Sequence, residues 1–67
     1  MTKLKIEGMS CQHCVNSVDE ALSEVPGVDR VVAVRLDEGE AEVEGSADPN
    51  ALVAAVEEEG YDARIVQ

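Results

Sequence analysis

TKLKIEG (residues 2–8) and MSCQHC (residues 9–14) follow one another near the amino terminus, and this junction determines how the chain folds. Leu4 and Ile6 alternate with charged side chains, a pattern typical of a half-buried β-strand. A glycine then interrupts the alternation. Apolar residues recur at helical spacing over residues 12–25, which predicts an amphipathic helix. The chain therefore opens with a strand, a short loop and a helix.

A valine-rich strand is predicted over residues 28–36, after Pro-Gly at residues 26–27 ends the helix. Three apolar side chains share one face of this strand: Val32, Val34 and Leu36. Val31 and Ala33 fall on the opposite phase. That mixture indicates a β-bulge or a slip of register within the strand.

The second half of the chain repeats the order of the first. Asp-Glu-Gly at residues 37–39 predicts a hairpin turn. Glutamates alternate with apolar residues over residues 40–44, which predicts a strand with one face exposed to solvent. The Asp-Pro pair at residues 48–49 is typical of a helix start, and Gly60 fits the position just past that helix. A last strand is predicted over residues 61–66. The buried stripe of the second helix is expected to be Leu52, Ala55 and Val56.

The predicted order is strand, helix, strand, strand, helix, strand. This order indicates an α+β fold of the ferredoxin-like type, βαββαβ, with a four-stranded antiparallel sheet covered on one face by two helices. We expect residues 1–67 to form a single domain, which at this size buries roughly 60% of the surface of the unfolded chain. So small a domain has no room for a deep substrate cavity, and we expect it not to be an enzyme.

The charge of the chain limits its partners. Fifteen acidic residues against five basic ones give a net charge of -10. Nucleic acids and anionic membrane surfaces are disfavoured, because both attract clustered lysine and arginine. A protein partner is expected to offer a neutral or basic face. With neither a signal peptide nor an apolar run long enough to span a membrane, the chain is expected in the cytoplasm, where thiols stay reduced.

Cys11 and Cys14 form a Cys-x-x-Cys unit at the predicted start of the first helix. Residues three apart lie on the same helix face, so both sulfurs can converge. The unpaired N–H groups and positive dipole end of the helix favour thiolate, the form that binds metals. Soft sulfur prefers soft ions such as Cu(I), whereas zinc usually takes four ligands. The whole chain has only two cysteines and one histidine, too few for a four-ligand zinc site, so Cu(I) is favoured. The alternative is that the two cysteines are ordinary core residues whose spacing arose by chance.

Four neighbours of the cysteines are candidates for a supporting role. His13 is expected to point away from the sulfurs, as a modulator of thiolate charge or a bystander, although a third ligand is an alternative. Met9 is expected to pack in the core under the loop. Ser10 is a loop hydrogen-bonding or capping group. Tyr61 either shields a sulfur or is a tyrosine at the edge of the core, and the sequence favours neither.

The run GMSCQHC at residues 8–14 closely resembles the metal-binding motif of heavy-metal-associated domains, and of CopZ-type copper chaperones in particular. Further points of resemblance lie at residues 26–28, Gly39 and residues 60–61. The resemblance implies a βαββαβ fold that binds Cu(I) through two cysteines. It also implies exchange of that ion with the metal-binding domains of a copper-exporting P-type ATPase, and metal-bridged homodimers.

In that family the methionine matching Met9 packs inward, the tyrosine matching Tyr61 lies beside the site, and the histidine matching His13 is linked to tuning of the thiols. Zinc- and cadmium-type members often carry aspartate where this chain has Ser10, which favours copper here. From the resemblance and the helix start together, we expect transfer by ligand exchange, with Cys11 the more exposed thiol and Cys14 the more ionised one.

Two other functions are compatible with the same residues. A carrier of Zn(II) or Hg(II) would have the same fold and the same two cysteines. A thiol-disulfide oxidoreductase also uses Cys-x-x-Cys at a helix start, but the element order differs from a thioredoxin-like fold. Neither Pro26 nor Pro49 resembles the proline that such enzymes place opposite the thiols. A domain cut from a larger transporter is a further alternative, and a free-standing protein is favoured over it.

Overall fold

The computed structural model describes residues 1–66 and confirms the predicted order of elements. The first helix stops two residues earlier than predicted, because the chain turns at Glu24 ahead of Pro26. The other boundaries lie within two residues of the prediction. The elements are β1 (Thr2–Glu7), α1 (Gln12–Ser23), β2 (Val28–Arg35), β3 (Glu40–Gly45), α2 (Pro49–Glu58) and β4 (Asp62–Ile65).

The four strands form one antiparallel sheet in the order β2-β3-β1-β4. The two central strands, β1 and β3, send alternate side chains into the core, and both helices pack on that face. This arrangement confirms the ferredoxin-like fold. The buried core is wholly aliphatic, and its largest fully buried side chains are Leu4, Val18, Leu22, Leu52 and Val56.

Strand β2 departs from the predicted pattern. Its pairing with β3 shifts register twice, between Val28 and Arg30 and between Val31 and Ala33. Each shift adds one residue, so core-facing side chains recur every three positions instead of every two. The predicted bulge is confirmed, but the predicted face is wrong: Val28, Val31 and Val34 pack against the core, whereas Val32 and Leu36 do not.

The second helix begins and ends as predicted. The Asp48 carboxylate accepts a hydrogen bond from the backbone N–H of Asn50 at 2.9 Å, and Pro49 occupies the first turn. Gly60, with a φ of +96°, reverses the chain just after the helix. This reversal leads Tyr61 back toward the β1–α1 loop. Within residues 1–66 no helix is long and apolar enough to cross a membrane.

Leu52→Ala is expected to lower the free energy of unfolding by about 2–5 kcal/mol, because it opens a cavity in a core with no aromatic side chain to fill it. Leu52 is fully buried. Denaturant melts followed by circular dichroism measure the change. Val66→Ala, at a side chain that is 47% exposed, is the control and is expected to stay within about 0.5 kcal/mol of the wild type. Equal losses in the two variants would contradict the assigned core.

Candidate metal centre

The loop between β1 and α1 places the two cysteines at the amino end of the helix. Cys11 is the N-cap residue, with extended backbone angles and no capping hydrogen bond from its side chain. Its carbonyl accepts hydrogen bonds from the N–H groups of Cys14 at 3.0 Å and Val15 at 3.3 Å. Because the side chain of Cys11 is not used for capping, its sulfur remains available to a ligand.

The two sulfur atoms lie 3.8 Å apart. Both cysteines are free thiols, and Cys11 is exposed whereas Cys14 is half-buried. A thiolate binds a metal such as zinc at about 2.3 Å, so one ion can contact both sulfurs at this separation. No group of three or more His, Cys, Asp or Glu side chains within residues 1–66 is arranged to hold a metal. The arrangement suits an ion that accepts two sulfur ligands and leaves further positions open.

Hydrogen bonds around Cys14 favour its thiolate. They lower the pKa of Cys14 to about 6, with the backbone amide of Ser10 contributing most and the Tyr61 hydroxyl next. The Ser10 hydroxyl, whose oxygen lies 3.9 Å from the sulfur, and the backbone of Cys11 add smaller contributions, while partial burial opposes them. The hydrogen bond between Tyr61 and Cys14 also raises the pKa of Tyr61, since the tyrosine hydroxyl donates to the sulfur. At neutral pH the thiolate form of Cys14 predominates.

Tyr61 lies directly against the loop. A Cβ atom placed on Gly8 would stand 3.3 Å from Cδ1 of the Tyr61 ring, and Gly8 has a φ of +106° that favours glycine. The ring also packs against the hydrophobic core. Tyr61 therefore occupies both of the places considered for it, the edge of the core and the neighbourhood of Cys14.

The other two predicted neighbours, Met9 and His13, have different surroundings. Met9 packs against the hydrophobic core. His13 lines a hollow beside α1 together with Glu20 and Glu59. Their roles toward a metal remain predictions.

Glu59 lies near this site, although the sequence analysis predicted no place for it there. It belongs to an acidic run at the end of α2, which on its own indicates a solvated surface. The available signal was its position two residues before Tyr61, which was itself a candidate for the loop. Because the carboxyl end of α2 approaches the amino end of α1, Glu59 shares a hollow with His13.

Comparisons with known proteins agree on one family. The heavy-metal-associated domain matches residues 3–62. The copper chaperone CopZ of Bacillus subtilis is 42% identical over 62 residues, 88% of each chain. The N-terminal domain of PacS from Synechocystis PCC6803 has a TM-score of 0.91 at 36% identity, covering 98% of this chain and 96% of that one. A mercuric reductase of Serratia marcescens is 46% identical over 68 aligned positions, 97% of this chain but 14% of that enzyme.

Alkylation of Cys14 by iodoacetamide, followed by mass spectrometry in a Cys11→Ser background, is expected to rise with pH with a midpoint of about 6. The thiolate is the reacting form, so the rate follows its fraction. Tyr61→Phe removes a hydrogen bond to the thiolate and is expected to move the midpoint to higher pH. A midpoint near the ordinary thiol value of about 8.5, unchanged by Tyr61→Phe, would contradict this account of Cys14.

Proposed function

The chain belongs to the heavy-metal-associated domain family, and we propose that it is a copper chaperone that carries one Cu(I) ion between Cys11 and Cys14. The observation that carries the proposal is the pair of free sulfurs 3.8 Å apart at the amino end of α1. The pKa of Cys14, lowered to about 6, supports it because a thiolate needs no further deprotonation to bind the ion.

Ligand number and softness favour Cu(I) over zinc. Structural zinc sites usually have four ligands, and within residues 1–66 no third protein ligand stands with the two sulfurs. Soft thiolate ligands select Cu(I). Ser10, rather than an acidic side chain, precedes Cys11, so no carboxylate oxygen is supplied at that position. The similarity to the CopZ chaperone of Bacillus subtilis supports the same assignment.

The proposed transfer is a ligand exchange without a change of oxidation state. A thiolate of the acceptor enters at the open coordination position and forms a third sulfur–copper bond. The bond to Cys11 then breaks, because Cys11 is exposed and lies at the loop, where a solvent proton can neutralise the leaving thiolate. A second acceptor thiolate replaces Cys14 in the same way, so each step exchanges one copper–sulfur bond for another.

The proposed acceptor is a metal-binding domain of a copper-exporting P-type ATPase. The likeness of this chain to the N-terminal domain of PacS, a probable copper-transporting ATPase, supports the choice, because two domains of one shape can approach each other symmetrically. We also propose that residues 1–67 act as one domain in the cytoplasm, that the chain has no catalytic activity, and that a shared ion can bridge two copies.

Transport of a different soft ion is the second candidate. The identity of 46% with part of a mercuric reductase favours Hg(II), which also suits a pair of thiolates. Zn(II) has less support, since it would need ligands from outside the described residues. Competition between Cu(I), Hg(II) and Zn(II) for the chain, with a chelator of known affinity for each ion, separates these functions. An insulin-reduction assay separates them all from a thiol-disulfide oxidoreductase.

Cys11→Ser and Cys14→Ser are each expected to abolish stable 1:1 binding of Cu(I), because only one of the two sulfur ligands remains in each variant. The fold is expected to stay intact in both. Anaerobic titration against a Cu(I) chelator measures the binding, and native mass spectrometry in parallel gives stoichiometry and oligomeric state. Ser23→Ala, at the far end of α1, is the control and is expected to bind as the wild type does. Retained affinity in Cys14→Ser, or tight binding of zinc without Cu(I), would contradict the proposal.

A further inference from the structure

The two edges of the sheet differ in regularity. The strand order β2-β3-β1-β4 leaves β2 and β4 each with one unpaired side. The pairing of β2 shifts register twice, and bulges of this kind hinder the addition of a further strand to an edge. Strand β4 pairs with β1 in continuous register, from Leu4 opposite Ile65 to Glu7 opposite Asp62. The β4 edge is therefore the better suited of the two to accept another strand.

The backbone groups at the free side of β4 belong to Ala63 and Ile65. The N–H of Val66 donates to the carbonyl of Lys3 at 2.9 Å, which directs the backbone of Val66 toward β1. Backbone groups of a strand point alternately to its two sides, so every second residue back along β4 also bonds toward β1. The residues between them turn their N–H and C=O groups outward. A further strand would bond to these two residues.

The charged side chains on the outer face of this edge are arranged in like pairs. Lys5 lies opposite Arg64, and Glu7 lies opposite Asp62. All four side chains line one shallow hollow. Like charges directly opposite each other destabilise a pair of strands. Exchange of Asp62 with Arg64 would create two pairs of opposite charge, so the present order does not stabilise the isolated sheet.

The charges of β4 have no ion-pair partner within the chain. None of the four side chains of the hollow forms an ion pair within residues 1–66. The Lys5 ammonium group donates instead to the carbonyl of Glu38 at 2.6 Å, in the turn before β3. Asp62 and Arg64 are both exposed. These two side chains are therefore available to charges beyond the edge.

We propose that β4 pairs with β4 of a second copy of this chain, in antiparallel orientation about a two-fold axis at Ala63. With the axis at this residue, Asp62 of each copy lies opposite Arg64 of the other copy. The two four-stranded sheets then join into one continuous sheet. The pairing uses neither cysteine, so it needs no metal and differs from a dimer bridged by a shared ion.

The backbone and the charges together select this register. The outward backbone groups of residues 63 and 65 must face those of the second copy, which allows a two-fold axis at Ala63, Arg64 or Ile65. An axis at Arg64 would place the two arginines opposite each other. An axis at Ile65 would place Arg64 opposite Val66 and pair no charges. The axis at Ala63 alone gives two pairs of opposite charge, at positions where opposed Cα atoms are about 4.5 Å apart.

The acidity of the chain does not prevent this contact. Two copies of net charge -10 repel each other at long range. At about 0.15 M salt, that repulsion is largely screened beyond about 8 Å, whereas the contacts between Asp62 and Arg64 lie within this distance. Charged side chains on an edge deter chance pairing with other strands. A second copy is favoured because its charges occur in the complementary order.

Self-association of the metal-free wild type is the first measurement. Only one short strand of each copy is joined, so we expect a weak dimer of the class that buries less than about 1,200 Å². Sedimentation equilibrium with a chelator and a reductant is expected to show a dimer that increases with protein concentration. Over the same range, the amide signals of Ala63 and Ile65 are expected to shift. A monomer at every concentration would overturn the proposal.

Reversal of one charge at the edge is expected to prevent self-association. Asp62→Arg gives a chain with two arginines at the edge, and Arg64→Asp gives a chain with two aspartates. Each is expected to self-associate at least about tenfold more weakly than the wild type, because like charges then meet across the axis. Within the chain, each change replaces a like pair with a pair of opposite charge, so the loss does not reflect a weakened fold.

A mixture of these two variants tests the register directly. Each arginine at the edge of the Asp62→Arg chain meets an aspartate of the Arg64→Asp chain. We therefore expect the mixture to form a heterodimer, although neither variant dimerises alone. Native mass spectrometry distinguishes the heterodimer by mass. Its absence from the mixture would overturn the pairing at Ala63.

Asp29→Arg is the matched control, because it makes the same change of charge at an exposed position of β2, the other edge strand. It is expected to self-associate within about twofold of the wild type, as an exposed substitution outside the interface changes free energies little. Equal losses in Asp29→Arg and Asp62→Arg would assign the effect to net charge and overturn the edge pairing.

Replacement of both cysteines by serine separates this inference from the proposed function. That variant is expected to dimerise as the wild type does, since no sulfur takes part. Dimers that form only with Cu(I) and disappear with a chelator would overturn the edge pairing, while copper binding would stand. Failure of the wild type to hold Cu(I) would contradict the proposed function, and metal-free dimers would still support the edge pairing.

Discussion

The backbone amide of Ser10, directed at the sulfur of Cys14, is the interaction around which the site is arranged. It contributes most to lowering the pKa of that thiol, and Ser10 supplies it from the loop between β1 and α1. A charged sulfur at a protein surface is stabilised by such donors, and within residues 1–66 no lysine or arginine contributes to the lowered pKa of Cys14. Met9, in the same loop, packs against the hydrophobic core.

The second half of the chain completes the same site from a distance in sequence. Gly60 reverses the chain after α2 and sends Tyr61 to the loop, where its hydroxyl supports the thiolate and its ring lies against Gly8. The antiparallel sheet order β2-β3-β1-β4 makes this meeting possible by placing β4 beside β1. The first half of the chain supplies the two sulfurs, and the second half supplies the tyrosine that contacts one of them.

Much of this arrangement could be predicted from sequence, because local patterns encode it. The alternation of apolar and charged residues predicted β1. The pair Asp48 and Pro49 predicted the start of α2, and the spacing of the cysteines predicted two sulfurs on one helix face. The face of β2 was predicted wrongly, since two bulges change its phase and their number is set by pairing with β3. The positions of Tyr61 and Glu59 depend on which strands and helix ends are neighbours, so only the family resemblance pointed to Tyr61, and only its nearness to Tyr61 could have pointed to Glu59.

Tyr61 is also the sole aromatic side chain of the chain. Its fluorescence is therefore not obscured by tryptophan or by a second tyrosine. Since the hydroxyl contacts the sulfur of Cys14, any change of protonation, oxidation or ligation at that atom alters the surroundings of the fluorophore. An aliphatic core thus leaves the molecule with a built-in optical reporter, placed at the one position where its chemistry is expected to occur.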